Sequence, residues 1–260
     1  MRRRRDIVRR AAPLALVAAL ALAGCSQAPP EVPPTPSHFD LGDLDPSQID
    51  GNGLWLLTGP DAAGEIVDAV AAVGAVEYSG TFTELTAATA EADPARGRTV
   101  AVEYRGRPGD FAAKITAGGL SLDVVTVGGH TYLRGNAAYA AQLGIPELEQ
   151  GYVCAAAGDG LADQWSPFLR PADLVSALLG ASGSVSVARP PADAELLEVV
   201  VGGETAPAGV MHVQRVGAPL PTDFAAGDPS GDGSFTFGAW GEQLDVEAPA
   251  DPVRDCDASE

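Results

Sequence analysis

The first regular pattern of apolar residues along the chain has the period of a helix. Apolar residues recur at helical spacing from Ile66 to Val73, with Asp61 available as the N-cap and Gly74 as the stop. This pattern predicts a helix from about residue 61. Two further helices are predicted at 136–144 and at 171–180, the second with a proline at its start and a glycine at its end.

Elsewhere the apolar residues alternate with polar ones, which is the period of a half-buried strand. Before the middle of the chain the predicted strands are 76–85, 98–106, 110–118, 120–128 and 131–135. After the last helix they are 195–201, 210–216, 234–240 and 242–248. Residues 217–233 are predicted to be turn-forming and poor in strand.

Short glycine-rich turns separate most of these strands, so neighbours must run antiparallel, because parallel strands need long crossovers. Strands, then helices, then strands again predict one α+β domain over residues 61–252. We expect a curved antiparallel sheet with helices packed on one face.

The N-terminus predicts export. Arginines at positions 2–5 precede a short apolar run that is a secretory signal, too short to span a bilayer. The run ends in Leu22-Ala23-Gly24-Cys25, which looks like a lipobox, where bacterial export machinery diacylates the cysteine and cleaves before it. We therefore interpret 1–24 as a signal peptide and Cys25 as the lipidated residue. The alternative is an ordinary signal peptide with a chance cysteine.

After Cys25, residues 25–60 contain a proline-rich spacer followed by an acidic segment, and 253–260 are an acidic tail. Without residues 1–24 the chain keeps ten basic and 34 acidic residues, a difference of −24. Such a surface repels nucleic acid and anionic headgroups, so neither is expected as a partner. Diacylglycerol on Cys25 is then predicted to anchor the protein to the extracytoplasmic face of the cell membrane.

If Cys25 carries lipid, two cysteines remain. In an oxidising compartment Cys154 and Cys256 most simply form a disulfide with each other. The alternative is a pair of free thiols with Cys154 buried. No metal site is predicted, because the three histidines are scattered and neither cysteine has a partner at ligand spacing. No cofactor is predicted.

Several segments together resemble the LppX/LprAFG-type lipoproteins of actinobacteria. These are GGLSLDVVTVGGHTYLRG followed by NAAYAAQLG, then VVVGGETAPAGVMHVQRV, and the ending FTFGAWGEQLDVEAPAD. The resemblance covers about residues 61–252 and the lipobox. It implies a half-barrel sheet wrapped around helices, similar to the LolA/LolB carriers, with a hydrophobic cavity for the acyl chains of lipids or glycolipids. A membrane exporter is a further implied partner. The chain departs from the family at 217–233, where a well-formed strand is usual.

A lipid carrier needs concave apolar surface rather than catalytic groups. The candidates are inward-facing residues of the strands and of the helix at 171–180. They are Val100, Val102, Tyr104, Phe111, Ala113, Ile115, Leu120, Leu122, Val124, Leu174, Val175, Leu178, Leu179, Phe235 and Phe237. The alternative is that these residues fill one another as an ordinary core.

Other chemistry finds little support in the sequence. Asp228, Ser230 and Asp232 resemble the start of a calcium loop, but Ala239 stands where the bidentate glutamate belongs, which favours a plain turn. There is no G-x-S-x-G elbow, P-loop, zinc helix or CxxC, so we do not expect an enzyme. We predict a lipid-binding or lipid-carrying lipoprotein. The alternative is a surface lipoprotein that acts as a protein-interaction or sensor module without a ligand cavity.

Overall fold

The structure is a computed structural model that describes residues 50–85, 96–155, 160–203, 206–226 and 233–256. Helix α1 spans Gly59–Val73, two residues earlier than predicted at its start. Its N-cap is Thr58, not Asp61: the Thr58 hydroxyl accepts from the Asp61 amide, and Pro60 lies in the first turn. Its buried face consists of Ala62, Ile66 and Val70.

The predicted strands of the first half form a meander with one short addition. They are β1 (Val76–Leu85), β2 (Arg96–Arg107), β3 (Asp110–Ala117), β4 (Leu120–Val127), β5 (His130–Gly135) and β6 (Val153–Ala155). Helices α2 (Ala137–Leu143) and α3 (Glu147–Gln150) lie between β5 and β6. Asn136 caps α2, its side chain accepting from the Tyr139 amide at 3.0 Å. Neither α3 nor β6 was predicted from the sequence.

The second half begins with a 3₁₀ helix at Asp163–Phe168 and helix α4 at Pro171–Gly180, the latter as predicted. The remaining strands are β7 (Val185–Val187), β8 (Leu196–Gly203), β9 (Ala206–Gln214), β10 (Pro221–Ala226) and β11 (Gly233–Gly238).

The eleven strands within the described residues form one antiparallel sheet in the order β6-β5-β4-β3-β2-β1-β11-β10-β9-β8-β7. β6 and β7 are its two edges, so the sheet is open. The two halves of the chain meet where β1 pairs with β11, with Tyr78 opposite Phe237. The predicted antiparallel sheet with a few helices is therefore confirmed.

The core lies on one face of the sheet. In β2, buried Val100, Val102 and Tyr104 alternate with more exposed residues, as the strand period requires. This inner face packs with α1, α4 and the 3₁₀ helix in one cluster that reaches from β6 to β7. On the outer face the described strands carry a much smaller cluster, centred on Val125, Tyr132 and Cys154.

Two predictions about strands were wrong. Residues 217–233 contain β10, whose Phe224 is buried and pairs with Met211 and Phe235 across its two neighbours. A six-residue strand that starts at a proline gives only a weak period. Conversely, 242–248 is not a strand, because the strand that precedes it, β11, is already paired with β1 and β10.

Instead, residues 239–256 form a C-terminal strap over the outer face. Positive φ angles at Ala239 and Gly241 turn the chain away from β11. Val246 then packs on the outer cluster, and the Val253 amide donates to the Tyr152 carbonyl at 2.7 Å. The strap ends beside β6, where the Cys154 amide donates to the Arg254 carbonyl at 2.9 Å.

A buried arginine holds the segment that precedes α1. Arg215, just after β9, is 5% exposed. Its Nη1 donates to the carbonyls of Pro191, Ala192 and Ala194 at 2.8 to 2.9 Å, and its Nη2 donates to the Asp50 carboxylate. The chain entering the domain is thereby fixed to the turn between β7 and β8. We name Arg215 and these four partners the arginine clasp.

Candidate functional site

The structure buries nearly all of the predicted cavity residues in the inner-face core. The exceptions are Leu120 and Leu178, which are half-buried against it. One row across the sheet shows the packing: Tyr78, Tyr104, Ala113 and Val124 are successive partners on β1 to β4. These residues therefore lie in the core on the inner face of the sheet. A lipid cavity among these residues stays a prediction.

Aromatic rings form the centre of this face. Tyr78 and Tyr104 stack with centroids 4.7 Å apart, and the Tyr78 hydroxyl donates to the Phe168 carbonyl. Burial raises the pKa of both phenols well above its usual value, and for Tyr78 the neighbouring Tyr104 adds to the rise. Among the described residues, the Tyr104 hydroxyl and the Trp165 indole nitrogen are buried without a hydrogen-bond partner.

A groove with a volume of about 530 Å³ opens between α1 and α4. Its size falls within the range typical of small-molecule sites. One wall is α1 and the other is the end of α4 with the turn into β7. The lining residues are mainly apolar or small: Pro60, Ala63, Gly64, Val67, Asp68, Ser176, Leu179, Gly180, Gly183, Ser184 and Val185.

Three exposed glycines lie along this groove. A Cβ placed on Gly64, Gly180 or Gly183 would meet no atom within 4 Å, so a larger side chain could be placed at each position without a contact to neighbouring atoms. Gly64 lies inside α1, where glycine costs about 1 kcal/mol relative to alanine. The groove was not predicted from the sequence.

A second depression, about 730 Å³ in volume, lies on the outer face of β1 to β5. Opposite charges alternate along its floor: Glu77 lies 3.8 Å from Arg105, and Asp123 pairs with Arg134. The Arg134 guanidinium also lies 4.9 Å from the centre of the Tyr152 ring. The Asp123 hydrogen bond raises the Arg134 pKa. Such a floor suits polar ligands or protein surfaces, whereas the groove between α1 and α4 suits an acyl chain.

The structure brings Cys154 and Cys256 together as predicted, with Cα atoms 5.0 Å apart and a bond between the sulfurs. It also brings a histidine to them. A ring nitrogen of His130 and the two sulfurs lie within 4.8 Å of one another. Sequence spacing hid this cluster, because β5, β6 and the strap each contribute one member.

Some predictions concern residues outside the described ranges. They include the signal peptide, Cys25 and the turn that contains Asp228, Ser230 and Asp232. In the part of the chain that the structure describes, no helix has the length and apolar character needed to cross a membrane.

No protein-family model matches the chain, and no curated protein matches it. Among solved structures, the fold is similar to the crystal structure of LprF from Mycobacterium bovis, at 12% sequence identity and a TM-score of 0.39. The alignment covers 75% of this chain and 99% of that one.

Proposed function

We propose that this protein is a lipid-anchored, extracytoplasmic lipoprotein that binds or carries a lipid or glycolipid. The acyl chain lies in the groove between α1 and α4. The observation that carries the proposal is the groove itself, about 530 Å³ in volume and lined mainly by apolar or small residues. When such a groove is empty, its apolar walls contact water, and an apolar ligand that covers them gains hydrophobic free energy. The inner-face core behind α4 supplies the rest of the apolar surface.

The groove has the right neighbours for this role. Val67 on α1 and Leu179 on α4 provide its apolar walls, while Asp68 and Ser176 are the polar members at which a headgroup can be held. Asp68 is exposed, which places this end of the groove in contact with solvent. An amphiphile therefore has a dry place for its tail and a wet place for its head.

The same proposal gives the remaining parts of the molecule their roles. Diacylglycerol on Cys25 anchors the protein to the membrane, and a half-barrel curvature of the sheet around α1 and α4 shields the bound chain. A membrane exporter is the partner that supplies or receives the lipid. The protein holds its ligand without transforming it, so it is not an enzyme.

Filling the groove tests the proposal. Gly64→Leu and Gly180→Leu each place an apolar side chain in open space without a clash. We expect both variants to fold and to lose co-purifying lipid in native mass spectra. Ala141→Leu is the matched control, because it adds three apolar carbons, one fewer than Gly→Leu, at an exposed position of α2 outside the groove.

Loss of lipid from Ala141→Leu to the same extent would show that the groove is not the site. Retention of lipid by both groove variants would contradict the proposal directly. The anchor is tested separately: Cys25→Ala should free the protein from the membrane fraction after a high-salt wash, or block its maturation. Continued sedimentation with membranes would refute lipidation at this residue.

The charged floor of the outer-face depression supports a second candidate function. A surface with alternating charges and an exposed Lys114 suits a protein partner that is read by charge complementarity. On this alternative the protein is an interaction or sensor module with no ligand. A parent protein free of lipid after expression in a lipid-rich host would favour it.

A further inference from the structure

Three soft or borderline metal ligands meet where the C-terminal strap reaches the edge of the sheet. His130 opens β5, Cys154 lies in β6, and Cys256 lies near the end of the strap. One ligand atom from each residue lies within 4.8 Å of the others. We propose that, when the disulfide is open, these three residues bind one thiophilic divalent cation of the Zn²⁺ type.

The required rearrangement is small. Tetrahedral Zn²⁺ with bonds of about 2.3 Å to sulfur and about 2.0 Å to nitrogen needs its ligand atoms roughly 3.6 to 3.8 Å apart. The cluster already lies inside a 4.8 Å limit. Opening a disulfide lets the two sulfurs move apart from bonding distance by about 2 Å, which side-chain rotation can supply. The backbone can therefore stay where it is.

The surroundings favour a Cys₂His site with one open position. Cys154 is 5% exposed, Cys256 is half-buried and His130 is exposed, so the cation would lie at the protein surface with water as its fourth ligand. Within the described residues neither ring nitrogen of His130 has a hydrogen-bond partner, so binding breaks no existing contact. Two thiolates also neutralise the charge of a divalent ion.

The metal and the disulfide exclude each other. A dithiol reductant opens the bond by exchange: one of its thiolates attacks a sulfur of the pair, and its second thiol resolves the mixed disulfide. The reductant leaves as a disulfide, and both protein cysteines become thiols. The cation then replaces their two protons. In either state Cys154 and Cys256 remain linked, so the strap stays attached to the edge of the sheet.

The test uses the full chain with Cys25→Ser, which leaves only these two cysteines. After treatment with dithiothreitol and its anaerobic removal, the protein is titrated with Zn²⁺ against a chromophoric chelator, and with Co²⁺ by its thiolate charge-transfer absorption. We expect one ion per reduced chain and none in the oxidised chain. Zn²⁺ should also raise the melting temperature of the reduced protein, since it binds the folded state.

Variants assign the ligands. His130→Ala should weaken Zn²⁺ binding about tenfold or more, and Cys256→Ser should abolish the charge-transfer band, because each removes a direct ligand. The control His212→Ala removes a histidine that pairs with Asp223 elsewhere, and it should bind as the parent does.

Failure of the reduced parent to bind Zn²⁺ would overturn the proposal. A His130→Ala variant with the same Zn²⁺ affinity as the parent would also overturn it, because the two thiols would then bind the ion without the histidine. If Zn²⁺ binds but leaves the melting temperature unchanged or lowers it, the ion does not prefer the folded chain and the site is refuted as well.

Discussion

The arginine clasp gives the sharpest test of how this fold is held together. We consider Arg215→Met, which keeps the apolar stem of the side chain and removes the guanidinium. Three carbonyl oxygens, of Pro191, Ala192 and Ala194, then lose a charged donor. A hydrogen bond to a charged group contributes about 1.5 to 3 kcal/mol, but such contributions are not additive.

The environment of the carbonyls sets the size of the effect. Their residues lie in a largely exposed turn, so water can replace part of what the guanidinium supplied. We therefore expect a loss of about 2 to 4 kcal/mol in the free energy of unfolding, below the sum of three bonds. Asp50→Asn should cost no more than about 1 kcal/mol, because the Asp50 side chain is 72% exposed and its ion pair is screened.

The measurement is the urea midpoint and slope of each variant at neutral pH. Arg105→Met is the matched control. It removes an arginine that is 52% exposed and 3.8 Å from Glu77, so it should change stability by no more than about 0.5 kcal/mol. If Asp50→Asn destabilised the protein as much as Arg215→Met, the ion pair would dominate and the reasoning from the carbonyl bonds would be refuted.

Three further predictions concern the core and the strap. Free-thiol labelling of denatured, unreduced protein should find Cys154 and Cys256 unreactive, and two reactive thiols from this pair would exclude the bond. Reduction should lower the free energy of unfolding by up to about 4 to 5 kcal/mol, the value of the chain-entropy model for a sequence separation of 102 residues. Ala113→Trp should overpack the inner face by about 1 to 3 kcal/mol or more in a denaturant titration, and an unchanged midpoint would reveal open space there. Burial raises the pKa of Tyr78 and Tyr104, so the stability that they contribute is complete below the usual phenol pKa of about 10 and is lost as the pH rises above it. A Tyr78→Phe variant should therefore show a shallower fall of the urea midpoint with rising pH than the parent protein. An equal fall in the two proteins would contradict this assignment.

The sequence predicted the elements whose signals are local. The alternating residues of β1 to β5 stand on a half-buried face, and Asn136 and Gly144 mark the ends of α2 by their own backbone preferences. Such features depend on residues within one turn or one strand. They could therefore be found without knowing what the strands pack against.

What the sequence did not predict depends on partners far along the chain. Nothing near Arg215 indicates that its guanidinium meets Asp50 and the turn before β8. Residues 242–248 have the alternation of a strand, but β11, which precedes them, already has β1 and β10 as partners. The cluster of His130 with the two cysteines was not predicted for the same reason, because only the fold brings these three separate segments to one edge of the sheet.

The seam between β1 and β11 has a consequence for how the chain acquires its structure. Glu77 lies opposite Gly238, so the centre of the sheet joins segments about 160 residues apart. The β2-to-β5 meander needs only short loops and can form early, whereas the seam bears a large loop-closure entropy. A chain that emerges N-terminus first therefore waits with β1 unpaired on one side until nearly all of it has appeared. During that interval the exposed strand edge is open to wrong partners, and helper proteins that shield such edges would raise the yield of correctly folded protein.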